Sequence, residues 1–341
     1  MRARVRLAPS VLTLLLGWSV SCATTVAPCD TLTGPGDQVC GVPGWEERGY
    51  LVHLPPSFDA RKSTPVLLAL HGGAGDKEKM QTLSCATGQL GDASCLDSLA
   101  DREGVVVVYP DGTSSALLEG LRTWNAGGGE RGLRCVSGPA CRDRVDDVAY
   151  FGRLLDELER LMAVDTTRVY VTGFSNGAAM AHRLGCELSS RVAAVAAVSG
   201  ANQLAAAQGC TPPRAVPVLS IHGEADPCWA FEGGFAACLQ EDEDRYVGVR
   251  ASVAEWARHN GCGEAPVVEA LDDVDPTDGT RVYREVWPGC RAPVELLRIE
   301  GGGHAWPGGH QYLAARTIGV ASRDLVGSTV VWAFLSAQVR R

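Results

Sequence analysis

Short apolar runs bounded by glycine, proline and charged residues recur along the chain. They read PVLLAL at 65–70, VVVVY at 105–109 and RVYVT at 168–172, with further runs at 192–198, 216–221 and 294–299. Runs of this length, without polar alternation, predict strands covered on both faces. Between several of them lie stretches of helical period. Over 146–162, Val148, Phe151, Leu154, Leu155, Leu158 and Leu161 share one face of a 3.6-residue repeat. Further helices are expected at 176–187, at 247–259 and, near the end, at 322–339. Strands alternating with helices predict an α/β fold, a mainly parallel sheet with right-handed crossovers and helices on both faces. No repeat or low-complexity linker divides the chain, so a single domain over 45–341 is expected.

Two irregular regions interrupt this pattern. Residues 111–144 are rich in glycine and hold Trp124 and two cysteines. Residues 228–245 hold Trp229, Phe231, Phe235 and the acidic run 241–244. Excursions on the loop side of a sheet are where binding surfaces are built, although the acidic run alone reads as a solvated face.

The first 23 residues follow a different logic. Arg2, Arg4 and Arg6 precede a mostly apolar stretch from Leu7 to Val20, and the small residues Ser21, Cys22 and Ala23 follow. The apolar stretch is too short for a membrane span, so 1–23 predicts an export signal. Cleavage after Ala23 would release a soluble protein, whereas a lipid on Cys22 would anchor it to a membrane. Residues 24–44 then form an amino-terminal extension that carries two cysteines.

Composition sharpens the compartment. The 341 residues include 45% apolar residues, 31 basic against 40 acidic side chains, and 13 cysteines, with a formal net charge of −9. Disorder is excluded by the apolar content, and no nucleic-acid partner is expected without a basic footprint. Loss of Cys22 with the signal leaves an even dozen cysteines, which in an exported chain predicts disulfides. Spacing invites the pairs Cys29 with Cys40, Cys85 with Cys95, Cys135 with Cys141 and Cys262 with Cys290. Cys186, Cys210, Cys228 and Cys238 make up the remainder, with their pairing open. No C-x-x-C is present and no histidine stands at ligand spacing from a cysteine pair, so no metal and no cofactor are expected. The aspartates at 272, 273, 275 and 278 fail the spacing of a calcium loop and read as turn formers.

The chemistry centres on RVYVTGFSNGAAMAHRL. A strand runs into Gly173-Phe174-Ser175-Asn176-Gly177 and small residues then open a helix, the strand–turn–helix context that G-x-S-x-G requires. Such a turn lifts a serine hydroxyl to the positive end of a helix and makes Ser175 a candidate nucleophile. It needs a base and an acid that follow in the order Ser, acid, His. His304 lies in a glycine-rich loop after the last strand and is preferred over His259 and His310. Asp226, just beyond the strand at 216–221, is preferred over Glu224, and His222 reads as a structural loop residue. The oxyanion donors would be the backbone amides of Asn176 and of Gly73, with Ala74 as the alternative to Gly73.

Five segments carry a family likeness: LALHGG (68–73), TWNAGG (123–128), VDDVAYF (145–151), VYVTGFSNGAAMAHRL (169–184) and GGGHAWPGG (301–309). Across residues 45–310 the chain resembles the secreted polyhydroxybutyrate depolymerase-like, feruloyl and acetylxylan esterases. The resemblance implies an α/β-hydrolase acting on ester substrates, either plant cell-wall polysaccharide esters or hydroxyalkanoate esters. It also implies a disulfide between Cys262 and Cys290, and Trp124 and Trp306 near the substrate; Trp229 completes the set of candidate substrate-contacting tryptophans. The chain departs from polymer-degrading relatives in the loop His71-Gly72-Gly73, which has glycine where they often carry cysteine, and at Cys228–Phe231, where relatives often carry a proline–aromatic pair. Both departures argue against a solid polyester. A peptidase on the same fold and a non-catalytic binding protein are the rival readings.

Overall fold

The computed structural model describes residues 25–115, 118–136, 138–238 and 245–341. The expected export signal, Cys22 and the acidic run 241–244 lie outside the described residues. Twelve strands are present among them: β1 (Gly36–Val42), β2 (Trp45–Leu54), β3 (Thr64–Leu70), β4 (Val106–Pro110), β5 (Thr113–Ser115), β6 (Leu118–Thr123), β7 (Val164–Phe174), β8 (Ala194–Val198), β9 (Val218–Gly223), β10 (Val267–Ala270), β11 (Arg281–Val286) and β12 (Val294–Glu300). The helices are α1 (Lys77–Leu83), α2 (Leu96–Glu103), α3 (Pro139–Arg142), α4 (Asp147–Leu161), α5 (Asn176–Glu187), α6 (Gln203–Ala207), α7 (Val249–Asn260), α8 (Ala315–Ile318) and α9 (Gly327–Ser336).

Ten strands form one sheet in the order β1-β2-β4-β3-β7-β8-β9-β12-β11-β10. The central six, β4 to β12, run parallel, and antiparallel pairs close both edges. Every residue of β3, β4, β8 and β9 is buried, as expected for strands with helices on both faces. The alternation of side chains across the sheet divides the core in two. Leu68, Leu70, Val108 and Val171 face one layer with α4 and α7, while Leu67, Ala69, Val107 and Tyr170 face the other with α2 and α9.

All six apolar runs became central strands and the three internal helices formed within two residues of the expected bounds. The last helix is shorter than 322–339, because 319–326 is spent returning beside the Gly302 loop through a bridge from Val320. Residues 24–44, expected as an extension, contribute β1, which pairs with β2 along its whole length. Helices α1 and α2 were not anticipated. They flank the Cys85–Cys95 disulfide in a stretch too polar and broken to show helical period. Cys186 pairs with Cys210 and Cys228 with Cys238, while the remaining pairs join Cys29–Cys40, Cys135–Cys141 and Cys262–Cys290.

One charged cluster ties the β1 edge to the helices. On β2, His53 Nδ1 lies 2.6 Å from Asp37 of β1 and its Nε2 lies 3.0 Å from Asp101 of α2. Carboxylates only accept, so both ring nitrogens carry hydrogen and His53 is an imidazolium. Gln81 of α1 donates to Asp37 and Asp97, and Tyr109 donates to Asp97. Burial alone would lower the His53 pKa, but the Asp37 hydrogen bond, the Asp97 charge and the Asp101 hydrogen bond outweigh it and raise it to about 9.

A group whose pKa is raised on folding stabilises fully below its unfolded value and loses that contribution as pH passes the folded value. Stability should therefore decline between about pH 6.5 and pH 9, by on the order of 1–3 kcal/mol after solvent screening. Urea unfolding of the protein and of His53→Gln across this range provides the check. Equal pH slopes in the two proteins would remove His53 as the cause.

Candidate active site

The nucleophile turn follows from what two glycines permit. A Cβ on Gly173 would lie 2.3 Å from the Gly177 carbonyl oxygen, and one on Gly177 would lie 2.4 Å from that of Leu70. Only glycine lets α5 come this close to the ends of β3 and β7. Ser175 between them takes φ 56° and ψ −118°, a backbone conformation costly for any residue with a side chain. Its amide donates to the Val198 carbonyl at 2.9 Å, which holds the turn against β8.

His304 and Asp226 meet as neighbours. His304 Nδ1 donates to Asp226 Oδ2 at 2.7 Å, and both side chains are buried. That bond fixes the proton on Nδ1 and leaves Nε2 as the basic nitrogen. Asp226 Oδ1 accepts the amides of Cys228 and Trp229, each at 2.8 Å. Burial would raise the Asp226 carboxyl. The charge of nearby His304 and the hydrogen bonds from His222 and His304 prevail and hold it well below the ordinary carboxylate range. Glu224 instead pairs with Arg298 at 3.0 Å, and His259 donates its Nε2–H to the Arg214 carbonyl at 3.2 Å.

The His304 loop is itself clamped. The His304 amide donates to Ile318 at 2.6 Å, Tyr312 donates its hydroxyl to the His304 carbonyl, and Ser199 donates to the Ala305 carbonyl. Ser175 and His304 line one cavity of about 880 Å³ together with the 71–75 loop. Among the described residues the Ser175 hydroxyl makes no hydrogen bond to His304. This last link commonly tightens only when substrate is bound.

The oxyanion donors can be separated by what their amides already do. Ala74 donates to the Arg122 carbonyl at 2.9 Å, so its N–H is committed and Gly73 is left as the candidate second donor. Asn176 heads α5, where first-turn amides lack helical partners. His71 holds the loop from behind. The Gly112 amide donates to its Nε2 at 2.9 Å, so the ring proton sits on Nδ1 and is donated to the Gly72 carbonyl at 2.7 Å. Burial lowers the His71 pKa to about 4, which keeps this strut neutral.

The tryptophans are placed unequally. Trp229 lines the cavity although it is only 1% exposed. Trp124 and Trp306 are 0% exposed and do not line it, so the expectation of substrate contact gives way to packing. Trp124 stacks near Phe151 and donates its Nε1–H to the His71 carbonyl at 2.9 Å. Trp306 packs against Gly327 at the start of α9. Two rings can thus shape the site without touching what binds there.

A buried network explains the TWNAGG and VDDVAYF segments. The Asn176 side chain accepts the Trp124 amide at 2.7 Å and donates to the Trp124 carbonyl at 3.1 Å. Asp147 accepts the Asn125 amide at 2.6 Å and pairs with Arg48 at 2.7 Å, with both charges fully enclosed. The Arg48 guanidinium lies 3.6 Å from the centre of the Tyr150 ring and donates to the Asp111 carbonyl. Arg48 carried no signal in the sequence, because nothing local marks an arginine on an edge-side strand as buried.

Residues 146–238, which include Ser175 and Asp226, match the Phospholipase/Carboxylesterase family. The chain is 28% identical over 260 residues to feruloyl esterase B of Piromyces equi, an alignment covering 76% of this chain and 42% of the relative. The chain therefore spans less than half of that relative's length. It is 32% identical over 290 residues to the putative esterase NocK of Nocardia uniformis subsp. tsuyamanensis, covering 82% of this chain and 76% of the relative. The chain belongs to the same α/β-hydrolase esterase family as this relative. An acetyl xylan esterase from Aspergillus awamori shares the fold, with TM-score 0.50 at 16% identity over 76% of this chain and 89% of that one.

Among the described residues, two side-chain groups come within metal-binding range. In one, Cys228 is bound to Cys238 while Asp226 and His304 hold each other. In the other, Asp37, His53 and Asp97 form the charged cluster described above. The ligand atoms of both are occupied by these contacts.

Arg48→Met should cost about 3–5 kcal/mol, because it strands the Asp147 carboxylate in the core. Arg48→Met combined with Asp147→Leu should recover most of that loss. Denaturant unfolding of the three variants checks this, and a double variant no better than the single one would contradict it.

Proposed function

We propose that this chain is a serine carboxylic-ester hydrolase in which Ser175, His304 and Asp226 act as nucleophile, base and orienting acid. The reading rests on Ser175 held at φ 56° in the G-x-S-x-G turn, in one cavity with an imidazole bonded to a buried carboxylate. His304 Nε2 takes the Ser175 proton as the oxygen attacks the ester carbonyl, while the Asn176 and Gly73 amides hold the developing oxyanion. His304 then protonates the departing alcohol. Water, activated by the same nitrogen, releases the acid and regenerates the serine.

The cavity supports an ester with a sizeable acyl or alcohol part. Its lining includes the apolar side chains of Met80, Leu83, Phe174, Leu313 and Ile318 and the aromatic rings of Trp229 and Tyr246. A second cavity of about 600 Å³ shares Arg142 with the first. It supports a substrate that extends beyond the reacting bond, as an ester borne on a plant cell-wall polysaccharide does. Trp229 lines the first cavity, which supports it as the tryptophan nearest the reacting ester. The six disulfides fit an oxidising compartment, in keeping with secretion through the segment 1–23. No helix among the described residues is long and apolar enough to cross a membrane.

A fluorophosphonate probe should label the protein, and Ser175→Ala should abolish labelling and reduce ester hydrolysis by at least about 1000-fold. An unlabelled wild-type protein would refute the catalytic reading. Feruloyl, acetyl and hydroxybutyryl esters compared by kcat/KM then rank the acyl group, with cell-wall esters expected first.

A further inference from the structure

His222 is the penultimate residue of β9, four residues before Asp226, and its side chain is completely enclosed. Its Nε2 lies 2.8 Å from the Trp229 carbonyl oxygen and 3.1 Å from Asp226 Oδ2. A carbonyl and a carboxylate both accept, so Nε2 carries a hydrogen and shares it between them. Phe231 packs edge-on against the ring at 6.1 Å. Asp226 thus meets four donors. Two backbone amides hold Oδ1, and two imidazoles, His222 and His304, share Oδ2.

This arrangement exceeds what a turn requires. The Asp226 turn is already secured by the Cys228 and Trp229 amides, and neither of these touches the oxygen that faces His304. We propose that His222 is a positioning residue for the reaction: it donates to Asp226 Oδ2 and holds that oxygen where His304 Nδ1 meets it. The same Nε2–H reaches the carbonyl of Trp229, whose side chain lines the cavity, so one imidazole ties the acid to the cavity wall. The inference rests on the Ser175–His304–Asp226 reading given above.

The titratable groups that face Asp226 are His222 from its own strand end, His304 from the loop after β12 and Tyr312 from beyond that loop. Loss of the His222 donor leaves Oδ2 a stronger acceptor for His304 alone. In His222→Leu, kcat for 4-nitrophenyl acetate and the rate of fluorophosphonate labelling should fall roughly 10- to 100-fold with KM little changed. The acid limb of the pH–rate profile should move to higher pH. His222→Gln, whose amide nitrogen reaches the position of Nε2, should recover at least about tenfold of the loss and restore the limb.

A folded His222→Leu with wild-type rates and an unmoved acid limb overturns the proposal. So does a loss that His222→Gln fails to recover and that only tracks a lowered melting temperature, since that pattern belongs to packing. Ser175→Ala in the same assays separates the two readings. Retained labelling or hydrolysis in that variant removes the triad and this role with it, whereas a dead Ser175→Ala beside an indifferent His222→Leu removes only the role of His222.

Discussion

The close approach of α5 to the ends of β3 and β7 is the constraint on which the site depends. The helix can reach the sheet only because Gly173 and Gly177 present no Cβ to the carbonyl oxygens opposite. Once it does, Ser175 has no relaxed conformation available and is carried at positive φ above the strand ends. The same approach drives the Asn176 side chain into the core, where it holds both polar groups of the Trp124 backbone. Trp124 in turn hydrogen-bonds the His71 carbonyl, beside the candidate oxyanion loop. A steric condition at two residues thereby reaches the nucleophile and the loop that would receive the oxyanion.

Charge burial completes the scaffold. Arg48 and Asp147 would each be costly alone in the core, and together they fasten β2, the Asn125 amide and the start of α4. His53 does comparable work at the β1 edge, where its charge balances surrounding carboxylates. Neutral imidazoles serve differently. His71 bridges two backbone segments without carrying charge, and the pairing of its two nitrogens with one donor and one acceptor settles its tautomer.

The central strands were legible because burial on both faces leaves uninterrupted apolar runs, and α4 because its Leu and Phe residues keep one face. The strained turn at Ser175 was legible through the glycines it demands, and the meeting of Asp226 with His304 through their places after strand ends. The failures have physical causes. Trp124 and Trp306 were expected near substrate, since aromatic residues in glycine-rich loops often are, but indole rings also fill space beneath loops. Helices α1 and α2 are stabilised by a disulfide and by contacts to the sheet more than by any local period. Arg48 and His53 gave no signal, because the partners that make a buried charge tolerable come from distant parts of the chain.

The sequence by itself determined the six central strands, three internal helices, the candidate nucleophile turn and, with Cys22 set aside, an even complement of cysteines. These follow from local rules: periodicity, glycine conformation and the chemistry of short motifs. Only the tertiary structure decided which amide near Gly73 is already engaged, that two histidines converge on Asp226, and which tryptophan faces the cavity. Each depends on distances between residues up to about a hundred positions apart, and such distances exist only once the sheet has brought its strand ends together.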